Sequence, residues 1–212
     1  MTLPATPTAG VPMIRIEHMA DQPHFVRLQS LHGVRVDLRY VGSNNFAGRS
    51  LYGTLDCAWL RREAAAGLQA AAQWLHARRP GWTILVLDAL RPQRVQEAIW
   101  KDVEGTPMQH YFAHPGRGSI HSFGMAVDAT LLGPEGLEAD MGSGFDEMTP
   151  RSHPALHEQH LASGVLTPAQ VQMRRWLADA MAHGGFHGLP NEWWHFDHGD
   201  RDRVRHELPR VY

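Results

Sequence analysis

The amino-acid sequence predicts an α+β fold in which a central antiparallel sheet is flanked by helices. Segments with helical spacing of apolar residues and short apolar segments of strand length occur along the same chain. They do not follow the regular strand–helix–strand rhythm of a parallel α/β sheet. The length of 212 residues, with 43% hydrophobic and 20% charged residues, is ordinary for one globular domain. We therefore expect a single domain over residues 13–212.

Residues 1–12 are expected to form a flexible amino-terminal arm. They are rich in Thr, Pro, Ala and Gly and carry no charged side chain. They lack the basic start and the long apolar stretch of a secretory signal, and no apolar run approaches the about 20 residues of a membrane span. These features favour a cytoplasmic protein.

The first third of the chain predicts two weak strands and one long helix. Segments 13–17 and 34–40 alternate weakly between apolar and polar residues. Asp56 has the chemistry of a helix N-cap, and apolar residues with helical spacing follow it as far as Arg78. We expect a helix between these two residues.

The remaining elements follow from stronger local patterns. The apolar run 83–87 is short enough for a buried strand, and a helix to about residue 100 follows it. A second apolar strand is predicted over 124–132. A helix is predicted over 167–183, with Thr167 as its N-cap and Pro168 as its first helical residue. The last strand is predicted over 192–197.

Charge and cysteine content exclude several classes of protein. Lys and Arg number 20 against 22 for Asp and Glu, so no basic excess indicates binding to nucleic acid or to an anionic membrane. The single cysteine, Cys57, rules out an internal disulfide and a cysteine-rich zinc site. With 15 histidines in the chain, any bound metal would have imidazole and carboxylate ligands.

Two segments carry polar residues in apolar surroundings. Asp128 is the one charge in its predicted strand, where burial costs free energy unless a cation compensates it. His121 precedes that strand and could reach Asp128 across a bend, although a simple His–Asp hydrogen bond is an alternative. Glu192 and His195 lie three residues apart and would face opposite sides of a regular strand. The turn-forming pair before Glu192 could bring both to one face; an aromatic core strand with exposed polar ends is the alternative.

A third segment places Arg91 directly after a buried strand, where it either serves a site or pairs with Asp88. Taken together, the three segments supply the parts of a metallohydrolase site. Two imidazoles and a carboxylate are three ligands, the number found in catalytic zinc sites that keep a fourth position for water. A nearby glutamate suits a general base, and an arginine suits stabilisation of an oxyanion.

These residues fall in motifs that resemble those of zinc D-alanyl-D-alanine dipeptidases of the vancomycin-resistance type. That family belongs to a superfamily with D,D- and L,D-peptidases and Hedgehog amino-terminal domains. The pattern S-x-H-x-x-G-x-A-x-D is complete from Ser119 to Asp128, and E-x-W-H is complete from Glu192 to His195. The resemblance extends to residues 37–48, 88–92 and 141–146, and so spans nearly the whole chain after the arm.

The resemblance implies one zinc ion per chain and hydrolysis of D-alanyl-D-alanine to two D-alanine by metal-activated water. It assigns His121, Asp128 and His195 to zinc, Glu192 to the general base and Arg91 to the tetrahedral intermediate. The residues it assigns to substrate binding are Asp146, Tyr40, Ser119 and Asp88, with Asp146 receiving the free amino group. Ile120 and Phe123 depart from the family pattern, so no residue is assigned to the substrate carboxylate.

Two other functions stay open at this point. One is a peptidoglycan D,D- or L,D-carboxypeptidase or endopeptidase on the same scaffold; an anchor for a free amino group at Asp146 argues against it. The other is a zinc-containing, non-catalytic Hedgehog-like binding module, against which Glu192 and Arg91 argue.

The expected partner is a small dipeptide, with a homo-oligomer left open. The role, antibiotic resistance or D-alanine recycling, is also open. The loop histidines 153, 157 and 160 are expected at the surface.

Overall fold

The computed structural model describes residues 13–212, and the predicted arm over residues 1–12 lies outside the described part. Within the described residues the chain forms seven strands and five α-helices, joined by loops and short 3-10 turns. The strands are β1 (Phe25–Arg27), β2 (Val34–Val36), β3 (Trp59–Arg61), β4 (Thr83–Asp88), β5 (Ala126–Leu132), β6 (Phe186–Gly188) and β7 (His195–His198). The helices are α1 (Arg62–Arg78), α2 (Gln93–Val103), α3 (His157–Ala162), α4 (Pro168–His183) and α5 (Arg201–Glu207).

The main sheet has five strands in the order β2-β4-β5-β7-β6, and β1 pairs with β3 in a separate two-stranded sheet. The α+β class is confirmed. The main sheet is mixed rather than wholly antiparallel, because β2 and β4 run parallel while the other three pairs are antiparallel. The chain passes through β3 and α1 between β2 and β4, and a helical crossover of this kind returns the next strand in parallel.

One face of this sheet packs on α1 and α4. In β5, Val127, Ala129 and Leu131 belong to the core cluster that these helices cover. Because side chains alternate along a strand, Asp128 points to the opposite face. Phe196 of β7 joins the same core cluster and pairs with Val127. The packing therefore presents the polar residues of β5 and β7 together on the face away from α1 and α4.

Helices whose ends carry local signals begin where the sequence predicts. Thr167 caps α4 in a complete capping box with Gln170, and Pro168 is the first helical residue. Helix α1, in contrast, begins at Arg62 and not at Asp56, because residues 59–61 pair with β1 as a strand. Asp56 instead accepts a hydrogen bond from the backbone of Ala58.

Two predicted strands are also displaced. Residues 13–17 contribute one isolated bridge, between Ile14 and Val211, and the chain then enters a 3-10 helix over Ile16–Asp21. The last strand begins at His195 instead of residue 192, because the chain bends at residues 190–191 and 193–194. Among the described residues, no helix is both long enough and apolar enough to cross a membrane.

Helices α1 and α4 are joined by a backbone contact at two glycines. A Cβ atom on Gly67 would overlap the carbonyl oxygen of Gly184, and a Cβ on Gly184 would overlap that of Gly67. Only residues without a side chain permit this approach. The contact holds the end of α4, and therefore the start of β6, against the first helix.

We expect Gly67→Ala to lower the free energy of unfolding by about 1–3 kcal/mol, the range for overpacking a tight contact, despite the better helix propensity of Ala. Urea unfolding followed by circular dichroism measures this change. The control is Gly42→Ala, because Gly42 is exposed and no atom lies within 4 Å of an added Cβ. Equal midpoints for the two variants would contradict the role of the glycine contact.

Candidate active site

Three adjacent strands present a row of polar side chains on the open face of the sheet. Asp128 on β5 pairs with His195 on β7 and with Asp88 on β4. The register of β4 shifts between Val86 and Asp88. Such a bulge changes the direction of the side chain that follows it. The shift therefore places Asp88 directly opposite Asp128.

His121 reaches the same place from the short helix that precedes β5. The 3-10 helix Ile120–Phe123 ends at Gly124, which has the left-handed conformation with φ of 69°. Glycine adopts this conformation without steric cost, and a Cβ there would lie 2.7 Å from the ring of Phe25. The turn folds the helix back over β5, so that Nε2 of His121 lies 3.3 Å from Oδ1 of Asp128.

The three predicted ligands converge on one point. Nδ1 of His195 lies 2.9 Å from Oδ1 of Asp128 and 3.2 Å from Nε2 of His121. All three residues are buried, and they form the one group of three or more potential ligand residues found within residues 13–212. Ligand atoms of a tetrahedral zinc ion with bonds of about 2.0–2.1 Å are about 3.3 Å apart. The triangle therefore has the dimensions of a metal site.

The outer nitrogens of both imidazoles determine which way their lone pairs point. Nδ1 of His121 donates to the backbone oxygen of Ala89 at 2.7 Å, and Nε2 of His195 donates to Asp197 at 2.8 Å. In a neutral imidazole the other nitrogen then carries a lone pair, and both lone pairs face Asp128. An N–H held by a carbonyl or carboxylate is the usual support of a metal-binding histidine.

The electrostatics of this triangle favour a positive charge at its centre. Burial opposes the charge on Asp128, yet His121 and His195 outweigh burial and hold the pKa of this carboxyl below its usual value. Burial likewise lowers the pKa of His195, but Asp197 and Asp128 outweigh that effect and raise it well above the usual value. A metal ion bound here would compete with a proton for the same lone pairs.

Asp197 is a site residue that the sequence analysis missed. It accepts the N–H of His195 and is paired in turn with Arg201. His195 and Arg201 outweigh burial and lower the pKa of Asp197 to about 2. Residues two apart on a strand share a face, so the spacing of His195 and Asp197 is the signal that could have identified it.

Glu192 lines the same cavity, whose volume is about 350 Å³, as the three ligands. It lies in the loop between β6 and β7 and is 8% exposed. No hydrogen bond to its carboxylate is formed by any residue in the described range 13–212. Burial, the main cause, raises the pKa of Glu192 to about 7; Asp128 adds to this effect and His195 opposes it.

Arg91 is held rigidly at the edge of the triangle. Its guanidinium donates to Oδ2 of Asp88 at 2.7 and 3.0 Å and to Gln96 at 3.2 Å, and lies 3.5 Å from Asp128. The ring of Tyr40 stacks against it, 4.9 Å from the guanidinium carbon. Asp88 has no exposed surface and also accepts the hydroxyl of Tyr52. It lies beneath the cavity wall and contacts Arg91.

Asp146, Tyr40 and Ser119, the other predicted substrate-binding residues, line the cavity. Asp146 has φ of 59° and is the only non-glycine residue in the described range with a positive φ, a conformation that Asp tolerates better than most residues. Its carboxyl accepts the N–H of Phe46 at 3.2 Å. Burial and the charge of Asp128 raise its pKa well above the usual value.

The expectation of surface positions for the loop histidines is wrong for His160. This residue is buried in α3, where its Nε2 donates to the backbone oxygen of Pro150 at 2.7 Å. His153 shares a hydrogen bond with the hydroxyl of Tyr111 at 2.8 Å. His153 and His160 therefore each have a structural partner, and this loop contributes no group of three ligands to the described part of the chain.

Comparison with known proteins gives consistent matches over most of the chain. The D-ala-D-ala dipeptidase family model, Peptidase_M15, matches residues 19–211. The D-alanyl-D-alanine dipeptidase of Escherichia coli (strain K12) is 34% identical over 181 residues, covering 84% of this chain and 86% of that protein. The D-alanyl-D-alanine dipeptidase of Enterococcus faecalis (strain ATCC 700802 / V583) is 30% identical over 184 residues, covering 79% and 87%. The solved structure of the LdcB LD-carboxypeptidase has a TM-score of 0.47 at 14% identity, covering 90% of this chain and 80% of that one.

The geometry predicts a graded loss of metal. We expect His121→Ala, Asp128→Ala and His195→Ala each to abolish stoichiometric metal content after dialysis. Asp197→Ala removes only the support of His195 and should weaken metal affinity by about 10–100-fold. Elemental analysis of the purified chains measures both effects. The control is His76→Ala, because His76 is an exposed histidine on α1. Full metal content in His195→Ala would show that His195 is not a metal ligand.

Proposed function

The chain belongs to the D-ala-D-ala dipeptidase family, and on that premise we propose that it is a zinc metallopeptidase that hydrolyses D-alanyl-D-alanine to two D-alanine. One observation carries the proposal. The buried triangle of His121, Asp128 and His195 shares its cavity with Glu192, a carboxyl that no described residue engages in a hydrogen bond.

The donor set fits zinc. Two imidazoles and one carboxylate are ligands that zinc accepts, and three protein ligands leave a fourth tetrahedral position for water or substrate. When bound there, zinc supplies Lewis-acid chemistry, lowering the pKa of water and polarising the scissile carbonyl.

Glu192 moves the protons of the reaction. It takes a proton from the attacking water, and it returns the proton to the amine nitrogen as the peptide C–N bond breaks. A general base works best when its pKa lies near the working pH. A pKa of about 7 allows the carboxyl to accept a proton and to release it again near neutrality.

Arg91 stabilises the negative charge that develops on the carbonyl oxygen in the tetrahedral intermediate. Asp88, Gln96 and the ring of Tyr40 already hold its guanidinium in place. A preorganised cation needs no rearrangement when charge develops, which is the main reason that such groups accelerate a reaction. In this proposal Asp88 is a positioning residue for Arg91 and does not touch the substrate.

Asp146 binds the ammonium group of the dipeptide, and Tyr40 and Ser119 line the same cavity. No ion pair to Asp146 is present among residues 13–212, so its carboxyl is buried without a cation. An incoming ammonium group would provide one. A substrate whose amino group is acylated presents a neutral amide and leaves the buried carboxyl unpaired.

The first test separates the base from the metal ligands. In Glu192→Gln, kcat should fall by about 10²–10⁴-fold, the usual contribution of general acid–base catalysis, while the metal content stays at the wild-type value. Release of free D-alanine from D-alanyl-D-alanine gives the rate. The matched control is Glu158→Gln; Glu158 lies on α3 and forms an exposed ion pair with Arg175 on α4. Near-normal turnover in Glu192→Gln would refute the assigned role.

The second test concerns the amino end of the substrate. N-acetyl-D-alanyl-D-alanine should be cleaved about two to three orders of magnitude more slowly than the free dipeptide, since loss of one partner of a buried charge pair costs about 2–5 kcal/mol. Asp146→Asn should reduce this preference by slowing cleavage of the free dipeptide. Comparable kcat/KM values for both substrates in the wild type would favour a carboxypeptidase instead.

A further inference from the structure

Three arginines besides Arg91 line the cavity, and nothing in the proposed reaction uses them. Arg117 lies in the turn before the helix that carries His121, while Arg201 and Arg205 lie on α5. Positions four apart on a helix share one face, so the two α5 arginines face the cavity together.

Only one of these three cations is neutralised by a buried carboxylate. Arg201 pairs with Asp197, which in turn holds His195. The Nε of Arg205 donates to the backbone oxygen of Gly118 at 3.3 Å, but its buried NH1 has no hydrogen-bond partner among the described residues. The nearest carboxylate to NH1, that of Asp202, is 3.6 Å away and 80% exposed.

Arg117 is exposed, and its guanidinium makes no hydrogen bond or ion pair within residues 13–212. Burial lowers the pKa of Arg205, and the charges of Arg117 and Arg201 lower it further. The charges of Arg117 and Arg201 therefore act on Arg205, and all three side chains line one cavity. A buried donor without a partner, next to like charges, is the arrangement that a bound anion relieves.

Arg117 and Arg201 also line a second cavity that shares Asp197 with this one and does not include Asp146, so the arginines lie toward a different end from Asp146. Asp146 follows Phe145, whose ring is 6.1 Å from that of Tyr40, and Tyr40 stacks on Arg91 beside Asp128. The arginine end is reached through the other side of the triangle, from His195 to Asp197 and then to Arg201. The ligand triangle thus separates a carboxyl end from a cationic end.

A dipeptide has charges that match these two ends. Its ammonium group lies on one side of the scissile carbonyl and its terminal carboxylate on the other. The carboxylate is one residue beyond the scissile bond, and one extended residue spans about 3.3–3.6 Å. The anion site must therefore lie beside the ligand triangle, as the arginine end does.

We propose that Arg117 and Arg205 bind the terminal carboxylate of the dipeptide, while Arg201 positions Asp197. This inference rests on the proposed dipeptidase function and adds the residues that select a free carboxyl terminus. Together with Asp146, they make the cavity specific for a substrate that carries opposite charges one dipeptide apart.

The test compares D-alanyl-D-alanine with D-alanyl-D-alaninamide, which keeps the ammonium group and the scissile bond but has a neutral carboxyl terminus. In the metal-loaded wild type, kcat/KM for the amide should be lower by about 10- to 100-fold, the range for a hydrogen bond to a charged group. Arg117→Gln and Arg205→Gln should each raise KM for the free acid and reduce this preference. The control is Arg203→Gln on the same helix, which pairs with Glu207 outside the cavity and should retain the full preference.

Binding supplies a second readout that does not depend on turnover. Calorimetry on metal-loaded Glu192→Gln should give a lower Kd for the free acid than for the amide, and adding Arg117→Gln should remove most of that difference. Arg205→Gln also removes the bond to Gly118, so Arg117→Gln, which breaks no hydrogen bond of the fold, is the decisive variant.

The outcomes separate this inference from the proposed function. Cleavage of both substrates at equal kcat/KM, or an unchanged preference in both arginine variants, would overturn the carboxylate site while leaving the dipeptidase in place. If the wild type cleaves neither substrate, the dipeptidase proposal fails. The calorimetric comparison then decides the anion site, because equal Kd values for acid and amide would refute it.

Discussion

The buried charge of Asp128 is the constraint on which the rest of the site depends. A carboxylate within an apolar strand is unstable unless cations and hydrogen-bond donors surround it. Here His195 on the neighbouring strand and His121 on the preceding helix supply those partners. Because the same atoms have the geometry and chemistry of metal ligands, the requirement for a compensating positive charge and the capacity to hold a metal ion have one structural origin.

Charges of alternating sign continue outward from Asp128 in two directions. On one side Arg91 lies next to Asp128 and is anchored by Asp88. On the other side His195 is followed by Asp197 and then by Arg201. Within this series each buried carboxylate therefore has a cation or an imidazole as neighbour, and Arg91 and His195 are each held by a second residue. Removing one member would leave its neighbour buried and uncompensated, so we expect effects along this series to be strongly non-additive.

The two ends of the cavity differ in how they are prepared for a ligand. Asp146 has a left-handed backbone conformation and a buried carboxyl without a cation. At the other end, neither Arg117 nor Arg205 has a buried carboxylate as partner among residues 13–212. Both arrangements cost free energy, and backbone strain or unpaired charge of this kind is found where a ligand completes the structure. A short substrate with one positive and one negative end would relieve both.

The sequence alone was sufficient for the α+β class, for the limits of α4 and for the choice of His121, Asp128 and His195 as a group. These rest on local chemistry: a capping box, an apolar run interrupted by one carboxylate, and motif spacing. The sequence did not reveal the parallel pairing of β2 with β4, because that pairing follows a long crossover and leaves no local pattern. The bulge that turns Asp88 beneath Arg91, the support of His195 by Asp197, and the meeting of Arg117 with α5 were likewise decided by the tertiary structure. Each depends on strand register or on contacts between distant segments, and a one-residue change of register reverses the face on which a side chain lies.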